Sequence, residues 1–251
     1  MRTIENLSYS ANQNVALDIH LPEKESFPVF VYFHGGGLER GDKAHEKYRV
    51  FFKDMTENGI AVVSVNYRMY PEAKYPDFLE DAAEAVAWVF QNINNYGNAK
   101  SIFVGGSSAG GYISQMLCLD DSWLGKHNVK VSDIAGFVLD AGQPTCHFNV
   151  LKERGLDERA IVVDECAPLY HIKADREYPP MLIIVSDNDI KNRYEQTMLL
   201  VSTFNHFGYE DKVQLKIMNG KHCAYVKNID EDGKSVFGKL VIPFILRQKA
   251  I

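Results

Sequence analysis

The sequence predicts an α/β fold in which a mostly parallel sheet of about eight strands carries helices on both faces. Short, apolar, β-branched runs alternate with helical patterns along the chain, which is typical of parallel strands buried on both sides. With 251 residues, 46% of them hydrophobic and 24% charged, the chain can bury a large core. No internal repeat, low-complexity tract or linker divides it, so residues 1–251 are predicted to form a single domain.

The first two predicted strands differ from the later ones. Segments 5–9 and 15–20 alternate apolar and polar residues around the turn-like segment 10–14, which predicts an antiparallel hairpin. Apolar runs predict the other strands, at residues 29–33, 60–65, 101–105, 134–139, 181–185 and 213–217. Helical patterns accompany them, at residues 45–57, 77–92, 109–119, 194–207 and 235–247.

Segment 143–178 is the exception to this alternation. It mixes charged and apolar residues and has no clear strand pattern, which predicts a cap insertion of short helices over the carboxyl edge of the sheet. Ligands of open α/β sheets bind at that edge. We therefore expect the insertion to cover a binding site.

Charge and hydropathy exclude several kinds of partner. The formal net charge is −6 at pH 7 and the chain has no run of lysine or arginine, which disfavours nucleic-acid binding. The first residues lack the apolar core of a secretion signal, and no segment approaches the roughly 18 apolar residues of a membrane span. We expect a soluble, cytoplasmic protein that binds neither nucleic acid nor membrane. The oligomeric state does not follow from the sequence.

The four cysteines indicate neither a zinc site nor a redox site. Cys118, Cys146, Cys166 and Cys223 are widely scattered and form no C-x-x-C pair. We expect free thiols in a reducing compartment. No metal or organic cofactor is expected either, because the chemistry indicated by the motifs below is complete with side chains and water.

The most informative motif is Gly-Ser-Ser-Ala-Gly at residues 106–110. It lies between a predicted strand and a predicted helix, so this G-x-S-x-G pattern places Ser108 on a sharp turn. A serine hydroxyl is a poor nucleophile near neutral pH and must stand where a base can reach it. Small neighbours permit such a turn. Taken alone, the motif is equally compatible with a glycine-rich turn that has no function.

A second glycine-rich turn, His34-Gly35-Gly36-Gly37, follows the predicted strand 29–33. Consecutive glycines let backbone N–H groups point toward a ligand without obstruction by Cβ atoms. We expect the N–H groups of Gly36, Gly37 and Ala109 to form an oxyanion hole. His34 is expected to support this loop by hydrogen bonding.

A base and an orienting acid are expected after later strands. His222 is the only histidine so placed after the last predicted strand, and two aspartates, Asp187 and Asp189, follow the strand before it. Asp189 is preferred because it lies further out in the loop, where reach toward a histidine is better, whereas Asp187 could cap the following turn. The chain order Ser108, Asp189, His222 matches the order in α/β-hydrolases.

On these residues the chain resembles HGGG-type carboxylesterases of the α/β-hydrolase fold, near the feruloyl-esterase-like (BD-FAE) and hormone-sensitive-lipase-like families. Residues 34–43 are similar to the HGGGW-x-x-GDK segment of BD-FAE hydrolases. Residues 66–76 and 81–88 resemble that family's NYRL-x-PE and D-x-x-x-A-x-x-W stretches. The resemblance covers nearly the whole chain and implies an eight-stranded α/β-hydrolase fold.

The chain departs from the family pattern at two positions and at its start. Leu38 replaces the usual aromatic residue of the oxyanion loop, which leaves the shape of the acyl pocket open. Cys223 follows the histidine, where a small residue or an aspartate is more usual. The chain also starts almost at its first strand, so we expect no helical cap at the amino terminus.

The resemblance implies a serine carboxylesterase that hydrolyses small or short-chain acyl esters, such as acetyl or feruloyl-like aryl esters, through an acyl-enzyme. The alternatives are an amidase such as an arylformamidase, and a catalytically silent ligand-binding protein of the same fold. Five aromatic residues near the motifs are candidates to line an apolar pocket, although core packing explains each of them equally well: Tyr67, Tyr70, Tyr75, Phe148 and Tyr170.

Overall fold

The computed structural model describes residues 2–10 and 15–248 and contains one eight-stranded sheet. Its strands are β1 (Arg2–Ser8), β2 (Ala16–Leu21), β3 (Ser26–Phe33), β4 (Ala61–Val65), β5 (Asn98–Ser107), β6 (Gly136–Asp140), β7 (Met181–Asn188) and β8 (Val213–Lys221). They lie in the order β1-β2-β4-β3-β5-β6-β7-β8. Strand β2 is antiparallel to both neighbours, and the strands from β3 to β8 pair in parallel. The predicted fold class is confirmed.

The hairpin of β1 and β2 and the later strands follow the predicted positions, with differences at their ends. Residues 11–14 of the predicted hairpin turn lie outside the described residues. Strand β5 begins three residues earlier than predicted, because Asn98 and Lys100 are polar and exposed and so interrupt the apolar signal. Strand β7 likewise continues past Val185 to Asn188, which pairs with Lys221 of β8.

The helices of the described chain are α1 (Arg49–Glu57), α2 (Asp77–Asn92), α3 (Ala109–Leu119), α4 (Asp121–Gly125), α5 (Phe148–Glu153), α6 (Arg193–His206), α7 (Ala224–Lys227) and α8 (Gly238–Arg247). Helices α2 and α3 have the predicted bounds. The predicted helix 45–57 begins with a 3-10 turn at Glu46–Tyr48 and becomes α-helical at Arg49. The last helix starts at Gly238 and not at Ser235, because the Ser235 hydroxyl accepts the N–H of Gly238 at the helix start.

Both faces of the sheet are buried, which explains the nearly continuous apolar runs in its strands. Along β3, Val29, Val31 and Phe33 belong to one core cluster, which also includes residues of α2, α3 and α6. Phe30 and Tyr32 belong to a second cluster with residues of α1 and α8. The alternation of side chains along each strand therefore supplies both cores.

The segment between β6 and β7 contains α5 and a 3-10 turn at Pro168–His171, and no strand. A disulfide joins Cys146 to Cys166, so the expectation of four free thiols is wrong for this pair, while Cys118 and Cys223 are free. The bridge forms because the segment folds back on itself, with the N–H of Cys146 donating to the carbonyl of Val162. No close sequence spacing signals a contact of this kind.

None of the helices in the described part of the chain combines the length and the apolar character that a membrane span requires.

Candidate active site

Ser108 occupies a strained turn between β5 and α3. Its backbone has φ 59° and ψ −112°, a region that side-chain-bearing residues rarely adopt. A Cβ atom on Gly106 would lie 2.5 Å from the carbonyl oxygen of Phe33, and one on Gly110 would lie 2.0 Å from the same oxygen. Both glycines of the motif are therefore required by the close approach of β3. The turn lifts the Ser108 side chain clear of the sheet edge.

His222 follows β8 and faces Ser108. Its Nε2 lies 2.8 Å from Ser108 Oγ, and its Nδ1 lies 2.5 Å from Asp189 Oδ1. With Nδ1–H donated to the carboxylate, Nε2 is left to accept the serine hydroxyl proton. The side chain of His222 is 20% exposed and that of Asp189 is fully enclosed. The three side chains form a continuous hydrogen-bonded chain from the protein interior to the surface.

The structure brings Asp189, and not Asp187, to the histidine. Asp187 is exposed, and its Oδ1 accepts the N–H of Gly220. The carboxylate of Asp189 accepts the N–H of Ile190 at 2.7 Å and the N–H of Ser186 at 3.3 Å. Strand β7 includes Asp187 and ends at Asn188, so the chain turns only at Asp189. This turn directs the Asp189 side chain inward.

The environment of Asp189 keeps its carboxylate ionised. Burial acts to raise the pKa of Asp189, but the hydrogen bond and charge of His222, with the N–H groups of Ile190 and Ser186, outweigh burial and lower the pKa below its usual value. An ionised carboxylate can fix the tautomer of His222 and stabilise its imidazolium form.

The glycine-rich loop after β3 packs against the Ser108 turn. A Cβ on Gly35 would lie 3.2 Å from Ser108 Cβ, and Gly36 and Gly37 have φ values of 145° and 70°. Among the described residues, no acceptor bonds the N–H groups of Gly36, Gly37 or Ala109. All three N–H groups are therefore free to donate to a ligand.

His34 anchors this loop from below. Its Nδ1 lies 3.1 Å from the carbonyl oxygen of Gly35, and its ring stacks on Tyr67 at a centroid distance of 4.6 Å. The Tyr67 hydroxyl donates to the carbonyl of His34. Burial lowers the pKa of His34 to about 4, so the ring is neutral near pH 7. The expected hydrogen-bonding support of the loop is present.

The family-like stretches around residues 41–43 and 66–68 build the scaffold of the site. The Lys43 ammonium forms a buried ion pair with Asp18 of β2 at 2.7 Å. Asn66 ties the loop to β4, because its Oδ1 accepts the N–H of Lys43 and its Nδ2 donates to Asp42. Gly41 must be glycine, since a Cβ there would lie 2.3 Å from the ring of His34.

Sequence reasoning missed Asn149 as a residue of the site. This residue, on α5, donates from Nδ2 to the carbonyl oxygen of Gly37 at 2.5 Å. The preceding Phe148 has its ring 3.4 Å from the position of a Cβ on Gly37. No motif marks either contact, because 112 residues separate Gly37 from Asn149.

Asp140 is a second carboxylate that the sequence analysis did not identify. Its backbone carbonyl accepts the N–H of Ser108 at 2.8 Å, and its side chain accepts the Tyr225 hydroxyl. Burial raises the pKa of Asp140 to about 7, against the opposing effect of hydrogen bonds from Ser107 and Tyr225. The free thiol of Cys223 lies between this carboxylate and the base, 4.0 Å from Asp140 Oδ2 and 3.7 Å from His222 Nε2.

Two cavities are lined in part by α5, whose residues Phe148 and Asn149 contact Gly37. The first, of about 470 Å³, is lined by residues that include Tyr70, Lys74, Asn149 and Glu153. The second, of about 460 Å³, is lined by residues that include Phe148, Ile190 and Arg193. Of the aromatic residues considered from the sequence, Tyr70 and Phe148 therefore line a cavity.

The other candidate aromatic residues have different surroundings. Tyr67 is buried beneath the loop, and Tyr170 is 57% exposed. Tyr75 donates from its hydroxyl to the carbonyl of Glu165. Leu38 is fully buried and is not part of either cavity wall, so its departure from the family pattern changes the packing beneath the loop.

One group of possible metal ligands occurs among the described residues, formed by Cys146, Asp164 and Cys166. Its two sulfur atoms are joined in the disulfide. A single carboxylate remains, which does not make a metal site.

The fold and the site define an α/β-hydrolase: a nucleophile turn after β5, an acid after β7 and a histidine after β8, with a glycine-rich loop after β3. The BD-FAE family model matches residues 17–204, more than half of the chain. The chain belongs to the BD-FAE family, which confirms the resemblance found in the sequence.

Comparison with individual proteins agrees with this assignment. The chain is 32% identical over 148 residues to probable carboxylesterase 7 of Arabidopsis thaliana, a match that covers 54% of this chain and 46% of that protein. It is 31% identical over 127 residues to hydrolase 3 of Catharanthus roseus, covering 41% of this chain and 40% of the relative. The matches thus span less than half the length of these curated relatives.

Solved structures share the fold at low identity. Esterase B from Lactobacillus rhamnosis superposes with a TM-score of 0.79 at 18% identity, covering 99% of this chain and 86% of that chain. Esterase 2 from Thermogutta terrifontis, phosphoramylated by tabun, superposes with a TM-score of 0.79 at 20% identity, covering 98% of this chain and 95% of that chain. A truncated carbohydrate esterase from gut microbiota superposes with a TM-score of 0.77 at 18% identity, covering 99% of this chain and 96% of that chain.

Proposed function

We propose that this protein is a serine carboxylesterase that hydrolyses small or short-chain acyl esters, including acetyl and feruloyl-like aryl esters. The observation that carries the proposal is the hydrogen-bonded chain from Ser108 Oγ through His222 to Asp189. Membership of the BD-FAE family and the esterase names of relatives and structural neighbours support it. No metal or organic cofactor is required by this chemistry.

In the first half of the reaction, Ser108 Oγ attacks the ester carbonyl carbon while its proton passes to His222 Nε2. The carbonyl oxygen becomes an oxyanion, which the N–H groups of Gly36, Gly37 and Ala109 stabilise. Asp189 stabilises the imidazolium that forms on His222. When the tetrahedral intermediate collapses, the bond to the alcohol oxygen breaks, and His222 returns the proton to the leaving alcohol.

In the second half, water attacks the acyl group on Ser108. His222 takes a proton from this water, and the oxyanion forms again in the same donor pocket. Collapse of the second intermediate breaks the bond to Ser108 Oγ, which regains its proton from His222. The carboxylic acid product then leaves, and the enzyme is restored.

We also propose that residues 1–251 act as one domain and that segment 143–178 is a cap over the site. The cap role is supported by the contacts of Phe148 and Asn149 with Gly37. The cytoplasmic location stays a prediction from sequence. The Cys146–Cys166 bridge removes one of the arguments for it, because disulfides persist mainly in oxidising compartments.

A panel of p-nitrophenyl esters with acyl chains from two to twelve carbons tests the proposal. Wild type is expected to hydrolyse the short esters fastest, and Ser108→Ala to lose at least about a thousandfold in kcat, since triad members act as a unit. A fluorophosphonate probe should label Ser108 in wild type and not in Ser108→Ala. Near-normal turnover by Ser108→Ala contradicts the mechanism.

The same preparations separate the alternatives. An arylformamidase would hydrolyse N-formylkynurenine faster than p-nitrophenyl acetate, whereas we expect the reverse order. A silent ligand-binding protein would neither turn over an ester nor react with the probe. The matched surface variant Ser202→Ala, which changes an exposed serine of α6, should behave as wild type in every assay.

A further inference from the structure

The second cavity, between the β6–β7 segment and the start of α6, is not used by any step of the proposed reaction. Its volume is about 460 Å³. Phe148, Ile161 and Ile190 provide apolar walls, and the polar lining residues include Gln143 and Arg193. A cavity with an apolar body and a few fixed polar groups is the usual form of a small-molecule site.

Two residues that line this cavity, Phe148 and Ile190, contact residues of the candidate active site. The Phe148 ring lies 3.4 Å from the position of a Cβ on Gly37, so one wall ends at the oxyanion loop. Ile190 directly follows Asp189, and its N–H donates to the Asp189 carboxylate. An ester whose carbonyl lies at Ser108 can therefore extend one of its two halves between these walls.

Arg193, the first residue of α6, brings a buried positive charge to the cavity wall. It is only 4% exposed. Its Nη1 donates to the carbonyl of Ala141 at 2.5 Å, and its Nη2 donates to Gln143 Oε1 at 3.0 Å. Both acceptors are neutral. Within the described part of the chain, Arg193 forms no ion pair with a carboxylate, although buried charges in proteins are normally paired.

Burial lowers the pKa of Arg193, and the negative charge of Asp189 opposes this effect without forming an ion pair with the guanidinium. The Asp189 carboxylate is committed to His222 and to the N–H groups of Ile190 and Ser186. The other charged side chains of the wall add no net charge: Arg159 forms an ion pair with Asp157, and Glu158 and Lys191 carry opposite charges. The cavity thus presents a guanidinium that forms no ion pair with a carboxylate of the described residues, and its two given acceptors are neutral.

We propose that this cavity binds a carboxylate carried by the substrate, and that Arg193 selects for it. The inference rests on the proposed esterase function and narrows its substrate class to esters with a second, ionised carboxyl group. The guanidinium has five N–H donors in a rigid fork, of which two are held by Ala141 and Gln143, so others can donate to a carboxylate. The apolar walls accommodate the carbon chain or ring between the ester and the acid.

Two matched pairs of substrates test this inference, one for each half of the ester. The first pair is p-nitrophenyl hemisuccinate and p-nitrophenyl pentanoate, which differ by a carboxylate on the acyl side. The second is 4-acetoxybenzoate and its methyl ester, which differ by a carboxylate on the alcohol side. We expect wild type to favour the charged member of one pair at least tenfold in kcat/KM, because a hydrogen bond between a guanidinium and a carboxylate is strong enough to give a preference of this size.

Three variants test whether Arg193 is responsible for the preference for charged esters. Arg193→Gln should lose the preference while still hydrolysing the neutral esters, and Arg193→Lys should retain part of it. Arg176→Gln is the matched control, because Arg176 also donates to a backbone carbonyl, that of Leu119, at the far end of α3 from Ser108. Arg176→Gln should keep the preference. Equal rates on charged and neutral esters in wild type, or an unchanged preference in Arg193→Gln, overturn the inference.

A binding measurement keeps the test independent of turnover and of the folding of the Arg193 variants. Calorimetry on Ser108→Ala should show 4-phenylbutyrate binding at least tenfold more tightly than 4-phenylbutanamide, which lacks the charge. Equal binding of the two overturns the inference. If wild type hydrolyses none of the esters, the proposed esterase function fails, but the calorimetric difference still decides whether the carboxylate site exists.

Discussion

The two sides of the candidate active site are built by different parts of the chain. Ser108, Asp189, His222 and the glycine-rich loop stand at the carboxyl ends of β5, β7, β8 and β3. The opposite side comes from segment 143–178, which has no strand and is joined to itself by the Cys146–Cys166 disulfide. One side is fixed by the sheet, and the other is fixed by individual contacts.

In the proposed mechanism, the sheet side carries out the reaction and the segment side determines which esters are preferred. The sheet positions the groups that every ester hydrolysis by a serine needs, because neighbouring parallel strands bring their loops to one edge. The segment and the start of α6 line the cavity that we propose for the rest of a substrate, with Phe148 and Arg193 in its wall. Changes on the sheet side should therefore abolish turnover of all esters alike, while changes on the segment side should alter turnover in part or shift preference.

The largest expected effect is on the sheet side, for Asp189→Asn. The amide cannot hold His222 in the tautomer that leaves Nε2 free to accept a proton, so we expect kcat to fall about 10⁴-fold on every ester. Asp187→Asn is the matched control, because that exposed carboxylate bonds only the N–H of Gly220. Steady-state kinetics on p-nitrophenyl acetate measures both variants. A larger loss of activity in Asp187→Asn would show that Asp187, and not Asp189, is the acid of the triad.

The sheet side could be predicted from sequence because its signals are local. A short apolar run followed by glycines or by Gly-x-Ser-x-Gly specifies both the strand and the residue at its end. Ser108 and Gly37 follow directly from such patterns. The choice between Asp187 and Asp189 depended on reach in the loop, and the structure brings Asp189 to His222 because β7 runs on through polar residues to Asn188.

The segment side could not be predicted, because its contacts depend on distant residues. Asn149 reaches Gly37 across 112 positions, and Arg193 reaches Ala141 across 52. The disulfide likewise joins cysteines 20 residues apart, with no motif to mark them. The pattern of segment 143–178 predicted short helices over the carboxyl edge of the sheet and no strand, but none of these contacts, because side chains packed by tertiary contacts show no regular period.

The next effect in size is on stability, for Cys146→Ser combined with Cys166→Ser. A disulfide that closes a loop of this length lowers the conformational entropy of the unfolded chain. Loss of the bridge should therefore lower the free energy of unfolding by about 3 kcal/mol. Denaturant titration of the oxidised wild type and the double variant measures this. We expect Cys118→Ser, which changes a buried free thiol, to cost less. Equal stability of wild type and the double variant would show that the segment is held by its other contacts.

The smallest expected effect is for Asn149→Ala, which tests how far the segment supports the sheet side. Loss of the hydrogen bond to the Gly37 carbonyl frees the loop that carries two oxyanion donors, so we expect kcat to fall about tenfold with KM little changed. Asn205→Ala, at an exposed site near the end of α6, is the matched control. If Asn149→Ala raised KM and left kcat intact, Asn149 would contribute to substrate binding, and the oxyanion loop would be positioned by the sheet side alone.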